Sequence, residues 1–216
     1  RRCLEACPAG AVKEIPSFGF ITDHQRCRLC GACIDECISD ARKIVGNRMP
    51  VDAIMEQIRR DRPFYDESGG GATFSGGEPL SQPQFLFALL RQCRMREIHT
   101  TVDTTAFSDP EVFRQMIELA DLILFDLKLM DDKAHKQFTG VSNRSILQNL
   151  TLAAHADTPL QVRVPIIPDI TDTKENLSAI AQYLKSLPHL KRIDLLPFHN
   201  TAAKKYERLG RVTPME

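Results

Sequence analysis

The sequence predicts an α/β fold preceded by a small cysteine-rich segment. From about residue 46 onward, short β-prone runs alternate with amphipathic helical stretches. Six of the seven cysteines fall between Cys3 and Cys37, in a stretch with little periodic pattern. The order strand, helix, strand, helix implies parallel strands joined by right-handed crossovers. The expected division is residues 1–45 and residues 46–216.

The helices are read from spacing. Val51, Ile54, Met55 and Ile58 fall at i, i+3, i+4 and i+7 and share one helical face. Leu86, Leu89, Leu90 and Cys93 repeat that pattern, as do Leu177, Ile180, Ala181 and Leu184. Ser108 before Asp109-Pro110-Glu111 has the form of a capping box with proline at the helix start. Between the helices lie the β-prone runs Ala72–Phe74, Ile98–Thr101, Leu122–Phe125, Leu160–Val164 and Ile193–Leu196.

Five such strands suit either an open doubly wound sheet or part of a barrel. Polar or glycine residues stand at the end of every run: Ser75-Gly76-Gly77-Glu78, Asp103-Thr104, Asp126-Leu127-Lys128, Arg163 and His199. Barrels gather their active sites at the carboxyl ends of the strands, which favours the barrel. Any single one of these residues is read equally well as the start of a polar loop.

The cysteines carry a sharper signal. Cys27-x2-Cys30-x2-Cys33-x3-Cys37 is a full bacterial ferredoxin run, and Cys3-x3-Cys7-Pro8 is the tail of a second. In two-cluster ferredoxins the fourth cysteine of a run ligates the other cluster. Cys7 is therefore expected to join Cys27, Cys30 and Cys33, while Cys37 joins Cys3 and two cysteines upstream of Arg1. Zinc is the competing metal, since paired cysteines also build zinc sites. Cys93 lies on an apolar helix face and reads as a small buried hydrophobe.

Composition excludes several classes. Lysine plus arginine balance aspartate plus glutamate at 28 each, which argues against a nucleic-acid or membrane-surface role. No apolar run is long enough to span a bilayer. Clustered cysteines suit metal ligation in a reducing compartment, so the cytoplasm is the expected location. The chain opens at Arg1 without a methionine, which leaves a leader segment open.

Further motifs point to a family. Arg62-Pro63-Phe64-Tyr65, Ser68-Gly69-Gly70-Gly71 and Ser75-Gly76-Gly77-Glu78-Pro79 resemble the run shared by glycyl-radical-enzyme activases of the radical SAM superfamily. Asp126-Leu127-Lys128 and Leu196-Pro197-Phe198-His199 follow in a similar order and spacing, and the cysteine-rich insert is similar to that of the ferredoxin-bearing branch. The likeness covers nearly the whole chain. It implies a partial (β/α) barrel of the radical SAM type that lacks its first strand and its C-terminal end, with a ferredoxin-like domain at the N-terminal side.

The resemblance also implies a reaction. S-adenosylmethionine is cleaved reductively to methionine and a 5′-deoxyadenosyl radical, which takes hydrogen from a glycine of a partner glycyl radical enzyme under anaerobic conditions. The electron comes from a donor such as flavodoxin or ferredoxin, through up to two 4Fe-4S clusters in the ferredoxin-like domain, to a catalytic 4Fe-4S cluster. Gly76 and Gly77 are expected to let backbone approach the amino-acid end of the ligand. Glu78, or the carbonyls around it, is expected to accept from the ammonium. The resemblance puts Asp103, Thr104 and Asp126 beside the methionine portion, where related activases hold a monovalent cation. Lys128 and Arg163 suit the carboxylate, with arginine offering bidentate geometry. His199 falls near ribose and adenine.

One element of the family is missing. Its catalytic cluster is held by Cys-x3-Cys-x2-Cys, and no such triplet occurs in this sequence. The expectation is an N-terminally truncated chain that is inactive by itself. Two other readings remain open at this point: a radical SAM maturase of some other substrate, and a ferredoxin-type electron carrier whose α/β part binds a partner.

Overall fold

A computed structural model describes residues 1–16, 19–188, 190–199 and 206. The chain forms two compact units, one of Arg1–Arg48 with the chain from His199 onward, the other of Met49–Phe198.

The first unit is built from short elements. A single helical turn, α1 (Arg2–Glu5), leads to the antiparallel hairpin of β1 (Val12–Ile15) and β2 (Gly19–Thr22), in which Val12 faces Thr22. A second turn, α2 (Ala32–Asp35), follows and packs against α1. Each turn holds a cysteine, Cys3 or Cys33, with another four residues on, at Cys7 or Cys37. Gly31 takes a left-handed φ of 84° at the N-terminus of α2, a conformation open to glycine at no steric cost.

The second unit alternates as its sequence pattern predicts. Helices α3 (Val51–Arg60) and α4 (Arg62–Ser68) precede β3 (Gly71–Phe74), and α5 (Pro83–Arg94) leads to β4 (His99–Thr104). Then come α6 (Pro110–Leu119), β5 (Leu122–Asp126), α7 (Asp132–Thr139), α8 (Arg144–Ala154), β6 (Leu160–Ile166), α9 (Lys174–Lys185) and β7 (Leu190–Pro197). The helix at residue 110 starts one residue later than the capping-box reading gives. Asp109 is the cap, its carboxylate accepting from the Glu111 N–H at 2.8 Å.

The sheet order is β3-β4-β5-β6-β7, all parallel. Strands laid down in sequence with crossovers of one hand keep every helix on the same face. A doubly wound sheet reverses its order at a switch point, and this one does not. The sequence left those two arrangements open, and the strand order selects the barrel-type arc.

Burial agrees. Val102, Ile123, Phe125, Val162 and Val164 are buried on the helix side, in a core with Leu90, Phe113, Met116 and Leu150. Phe113 and Phe125 meet edge to face at 6.2 Å, a contact that adds about 1 kcal/mol beyond area burial. The alternate residues Thr101, Asp103, Asp126, Gln161 and Arg163 are only partly buried and lie on the other face.

A Cβ on Gly71 would stand 1.9 Å from the His99 carbonyl oxygen, so β3 and β4 approach there more closely than any side chain permits. Cys93 is fully buried against Met55, sulfur to sulfur at 3.9 Å, as its place on an apolar face predicts. Burial pushes its thiol up to about 11 from an ordinary value of 9.0. The folded form thus holds this proton more tightly than the unfolded chain does, and its contribution is complete below pH 9.0. Urea unfolding should show stability falling between pH 9 and 11, with a smaller fall in Cys93→Ala.

Candidate functional site

The carboxyl ends of β3 to β6 bring the expected residues of the second unit together. Asp126 closes β5 directly opposite Arg163 of β6, and Asp103 is the penultimate residue of β4. Because side chains alternate along a strand, all three fall on the face away from the helices. The Arg163 guanidinium lies between the two carboxylates. Its Nε and Nη2 donate to Asp126 Oδ1 at 3.0 and 2.7 Å, and Nη2 also donates to Asp103 Oδ1. Ser75 Oγ donates to the other oxygen of Asp103 at 3.0 Å, and Lys128 Nζ stands 3.8 Å from Asp126 Oδ2.

This cluster holds two carboxylates and two cations. Burial alone disfavours the Arg163 charge, but the hydrogen bonds and charges of Asp126 and Asp103 outweigh it and raise the pKa. Two carboxylates converging on a small site repel unless a positive charge sits between them, and the guanidinium supplies it.

Glu78 departs from expectation. Its Oε1 accepts from Thr104 Oγ1 at 2.6 Å and from the Leu80 N–H at 3.1 Å. Its Oε2 accepts from the Thr105 N–H at 2.9 Å and Oγ1 at 2.6 Å. The carboxylate thus ties the turn after β3 to the end of β4. Thr104 is also turned inward: it is 2% exposed, and its hydroxyl accepts from the Ala106 N–H at 2.8 Å. Glu78→Gln replaces one acceptor oxygen with an NH2 facing donors. It should cost about 2 kcal/mol in chemical unfolding.

The glycines and neighbours are placed as follows. Gly76 has φ 124°, a region favouring glycine, and a Cβ on Gly77 would meet nothing within 4 Å. Backbone is therefore open to approach at this turn. Leu127 is 1% exposed in the core, so it presents only backbone, and its N–H is already given to the Arg163 carbonyl at 2.9 Å. His199 follows the last residue of the sheet unit and belongs to the other compact unit.

Three buried asparagines went unnoticed in the sequence. Asn149 Nδ2 donates to the carbonyls of Ala106 and Ser108 at 2.9 and 3.1 Å, fixing the loop after β4. Asn143 Nδ2 holds the Leu129 and Met130 carbonyls, at 3.0 and 2.8 Å. Asn176 donates to the Lys128 carbonyl at 3.0 Å and accepts from the Met130 N–H at 3.0 Å. Their only sequence signal is asparagine on helices that otherwise read as apolar on one side.

Asp131-Asp132-Lys133 forms the start of α7. Asp131 caps α7 through the Ala134 N–H, and Asp132 takes Lys136, Ser142 and the Asn143 N–H. Lys136 first, then Ser142, holds the Asp132 carboxyl well below the usual carboxylate range. His135 is buried, with Nδ1 against the Val141 carbonyl at 2.8 Å, and has no ligand geometry.

In the first unit, backbone N–H groups point at sulfur. Ala11 N–H donates to Cys7 Sγ at 3.2 Å and Leu29 N–H to Cys27 Sγ at 3.4 Å. The Ala11 bond lowers the Cys7 pKa, and the Ser39 hydroxyl does the same for Cys37. Such donors favour the thiolate form that metals require. A cavity of about 530 Å³ is lined by Cys3 and Cys37 with Arg1, Arg2 and Arg42, within the volume range of small-ligand sites. Among the described residues, no three His, Cys, Asp or Glu side chains converge on a point suited to a single metal ion.

Comparisons with known proteins agree with the geometry. Residues 24–181 match the family model described as the radical SAM superfamily. The chain is 37% identical over 217 residues to the isethionate sulfite-lyase activating enzyme of Nitratidesulfovibrio vulgaris, covering 99% of this chain and 70% of that protein. It is 36% identical over 220 residues to the choline trimethylamine-lyase activating enzyme of Oleidesulfovibrio alaskensis, covering 99% and 71%. Among solved structures, a domain of pyruvate-formate lyase-activating enzyme from Bacteroides vulgatus is similar, with 35% identity and a TM-score of 0.57. The match covers 67% of this chain and 98% of that one. Streptococcus suis SuiB bound to S-adenosylmethionine shares the fold alone, at 15% identity and a TM-score of 0.58, covering 80% and 39%. With its parallel strands and their convergent ends, the chain belongs to the radical SAM superfamily and, within it, to the glycyl-radical-enzyme activating enzymes.

Proposed function

We propose that the strand-end cluster binds S-adenosylmethionine and that the protein activates a glycyl radical enzyme. The observation that carries this reading is the meeting of Ser75, Asp103, Asp126, Lys128 and Arg163 at one end of a radical SAM sheet. When bound, S-adenosylmethionine supplies, on one-electron reduction, a 5′-deoxyadenosyl radical that takes hydrogen from a backbone glycine of the partner.

The residues present fit the amino-acid end of that molecule. Arg163 and Lys128 offer two cations for its carboxylate, and Gly76 and Gly77 leave backbone carbonyls open to its ammonium. Glu78 holds that turn in place through Thr104 and Thr105. When the guanidinium engages the ligand, the pair Asp103 and Asp126 suits a monovalent cation in its stead. His199 is assigned to ribose and adenine on sequence resemblance.

The residues present do not fit the catalytic cluster, because this sequence contains no Cys-x3-Cys-x2-Cys. Cys7, Cys27, Cys30 and Cys33 fit one ferredoxin-type cluster, and Cys3 and Cys37 supply two ligands to a second. These form a ferredoxin-like domain over residues 1–45 that passes electrons from a carrier such as flavodoxin. A cytoplasmic location suits such clusters. Among the described residues no helix is long and apolar enough to cross a membrane.

The test uses protein expressed from its complete reading frame and reconstituted anaerobically with iron and sulfide. Dithionite should then yield methionine and 5′-deoxyadenosine in equal amounts, and a glycyl radical signal on the partner. Absence of 5′-deoxyadenosine from a fully reconstituted sample would end the reading.

A further inference from the structure

The loop from His24 to Cys33 is polarised in charge. It carries Arg26 and Arg28, both exposed, and no carboxylate. The nearest acid before it, Asp23, is already paired with Lys13 at 2.7 Å. That lysine, first among the causes, holds the Asp23 carboxyl below its ordinary value. Neither arginine forms an ion pair among the described residues, and the Arg26 guanidinium lies over Gly10. The stretch after Cys33 is opposite in sign, with Asp35, Glu36 and Asp40 exposed and no basic residue before Arg42.

The same loop projects apolar surface. Leu29 is 70% exposed and held at φ 52°, a left-handed conformation that a leucine seldom adopts. Its N–H donates to Cys27 Sγ, so the turn that satisfies the sulfur also pushes the side chain outward. Cys30, the next residue, is exposed. An exposed leucine beside an exposed cysteine gives a dry contact next to a metal ligand, and the flanking guanidiniums give it a sign.

We infer that the Arg26–Cys30 loop is the docking surface for an acidic one-electron carrier protein. The inference rests on the proposal that Cys7, Cys27, Cys30 and Cys33 hold a cluster. In the step it serves, the carrier is oxidised by one electron and the cluster is reduced by one. Opposite charges steer the encounter and set its salt dependence, while the small apolar tip allows rapid release, as weak redox interfaces require.

The experiment is stopped-flow reduction of the reconstituted full-length protein by reduced flavodoxin, an acidic carrier, across a range of salt. Arg26→Glu with Arg28→Glu should lower the second-order rate about 10- to 100-fold at low ionic strength, with the gap closing as salt rises. Leu29→Ser should weaken flavodoxin binding in calorimetry at every salt concentration. Asp35→Lys with Glu36→Lys, on the acidic side, should not slow the reaction. Photoexcited deazaflavin, a small reductant, should reduce all variants at one rate. If the cluster absorbance fails to form in wild-type protein, the cluster reading itself is lost. If it forms and deazaflavin reduces it, but charge reversal leaves the flavodoxin rate unchanged, the docking surface is overturned. Equal slowing by the changes at residues 35 and 36 overturns it as well.

Discussion

Arg163→Met should remove S-adenosylmethionine binding and destabilise the sheet unit together. The guanidinium now separates Asp103 and Asp126, and its side chain is 20% exposed. Breaking a fully buried pair costs about 3–5 kcal/mol, and the residual solvent contact here brings the expected loss to about 2 kcal/mol. Asp103 and Asp126 would then face each other across the β4 and β5 ends, with Lys128 the remaining cation of the cluster, 3.8 Å from Asp126. Adding Asp126→Asn to Arg163→Met should restore most of the stability. It should not restore ligand affinity, expected to fall at least about 100-fold by calorimetry, because the bidentate donor is gone. A variant that keeps wild-type stability and affinity would show that the guanidinium bridge does neither job.

Gly71→Ala should be the most damaging single methyl in the molecule. The added Cβ would stand 1.9 Å from the His99 carbonyl oxygen, and both atoms belong to paired backbone. Neither can rotate away, so β3 must leave β4 or carry severe strain. The expected loss is about 4 kcal/mol, at the far end of single substitutions, read as a lowered urea midpoint or as insoluble protein. Gly77→Ala is the contrasting change. Its Cβ would enter open space at an ordinary φ, so stability should hold within about 0.5 kcal/mol. Affinity for S-adenosylmethionine should fall, since the methyl occupies the surface assigned to the ligand. Equal stability losses in the two variants would refute the distinction.

Much of the fold is legible in the amino-acid sequence. All five β-prone runs are strands; in β4 to β6 alternate residues bury under the periodic helices, whereas Ile193, Leu195 and Leu196 of β7 are exposed. The meeting of Asp103, Asp126 and Arg163 was legible only from the three together, as polar groups at successive strand ends, since each alone also reads as the start of a loop. The role of Glu78 was not legible. Its carboxylate faces Thr104 and Thr105, which lie 26 and 27 residues away, and no local pattern announces such a pairing. Thr104 was misplaced because strand alternation puts it on the helix side, one residue out of phase with Asp103. The cap stands at Asp109 because Pro110 suits the first helical position, where its missing N–H costs nothing. Helix α8 was not read from the sequence, since Asn149 on its buried face interrupts the apolar repeat.

The asparagine tethers have a consequence for how the protein is made. The loop after β4 is held by Asn149, 43 residues beyond Ala106, and the loop after β5 by Asn176, 48 residues beyond Lys128. Each of these loops is therefore fastened by a part of the polypeptide that leaves the ribosome only after the next strand has been translated. The strand-end cluster that the two loops border gains its full set of tethers only once α8 and α9 have docked on the sheet.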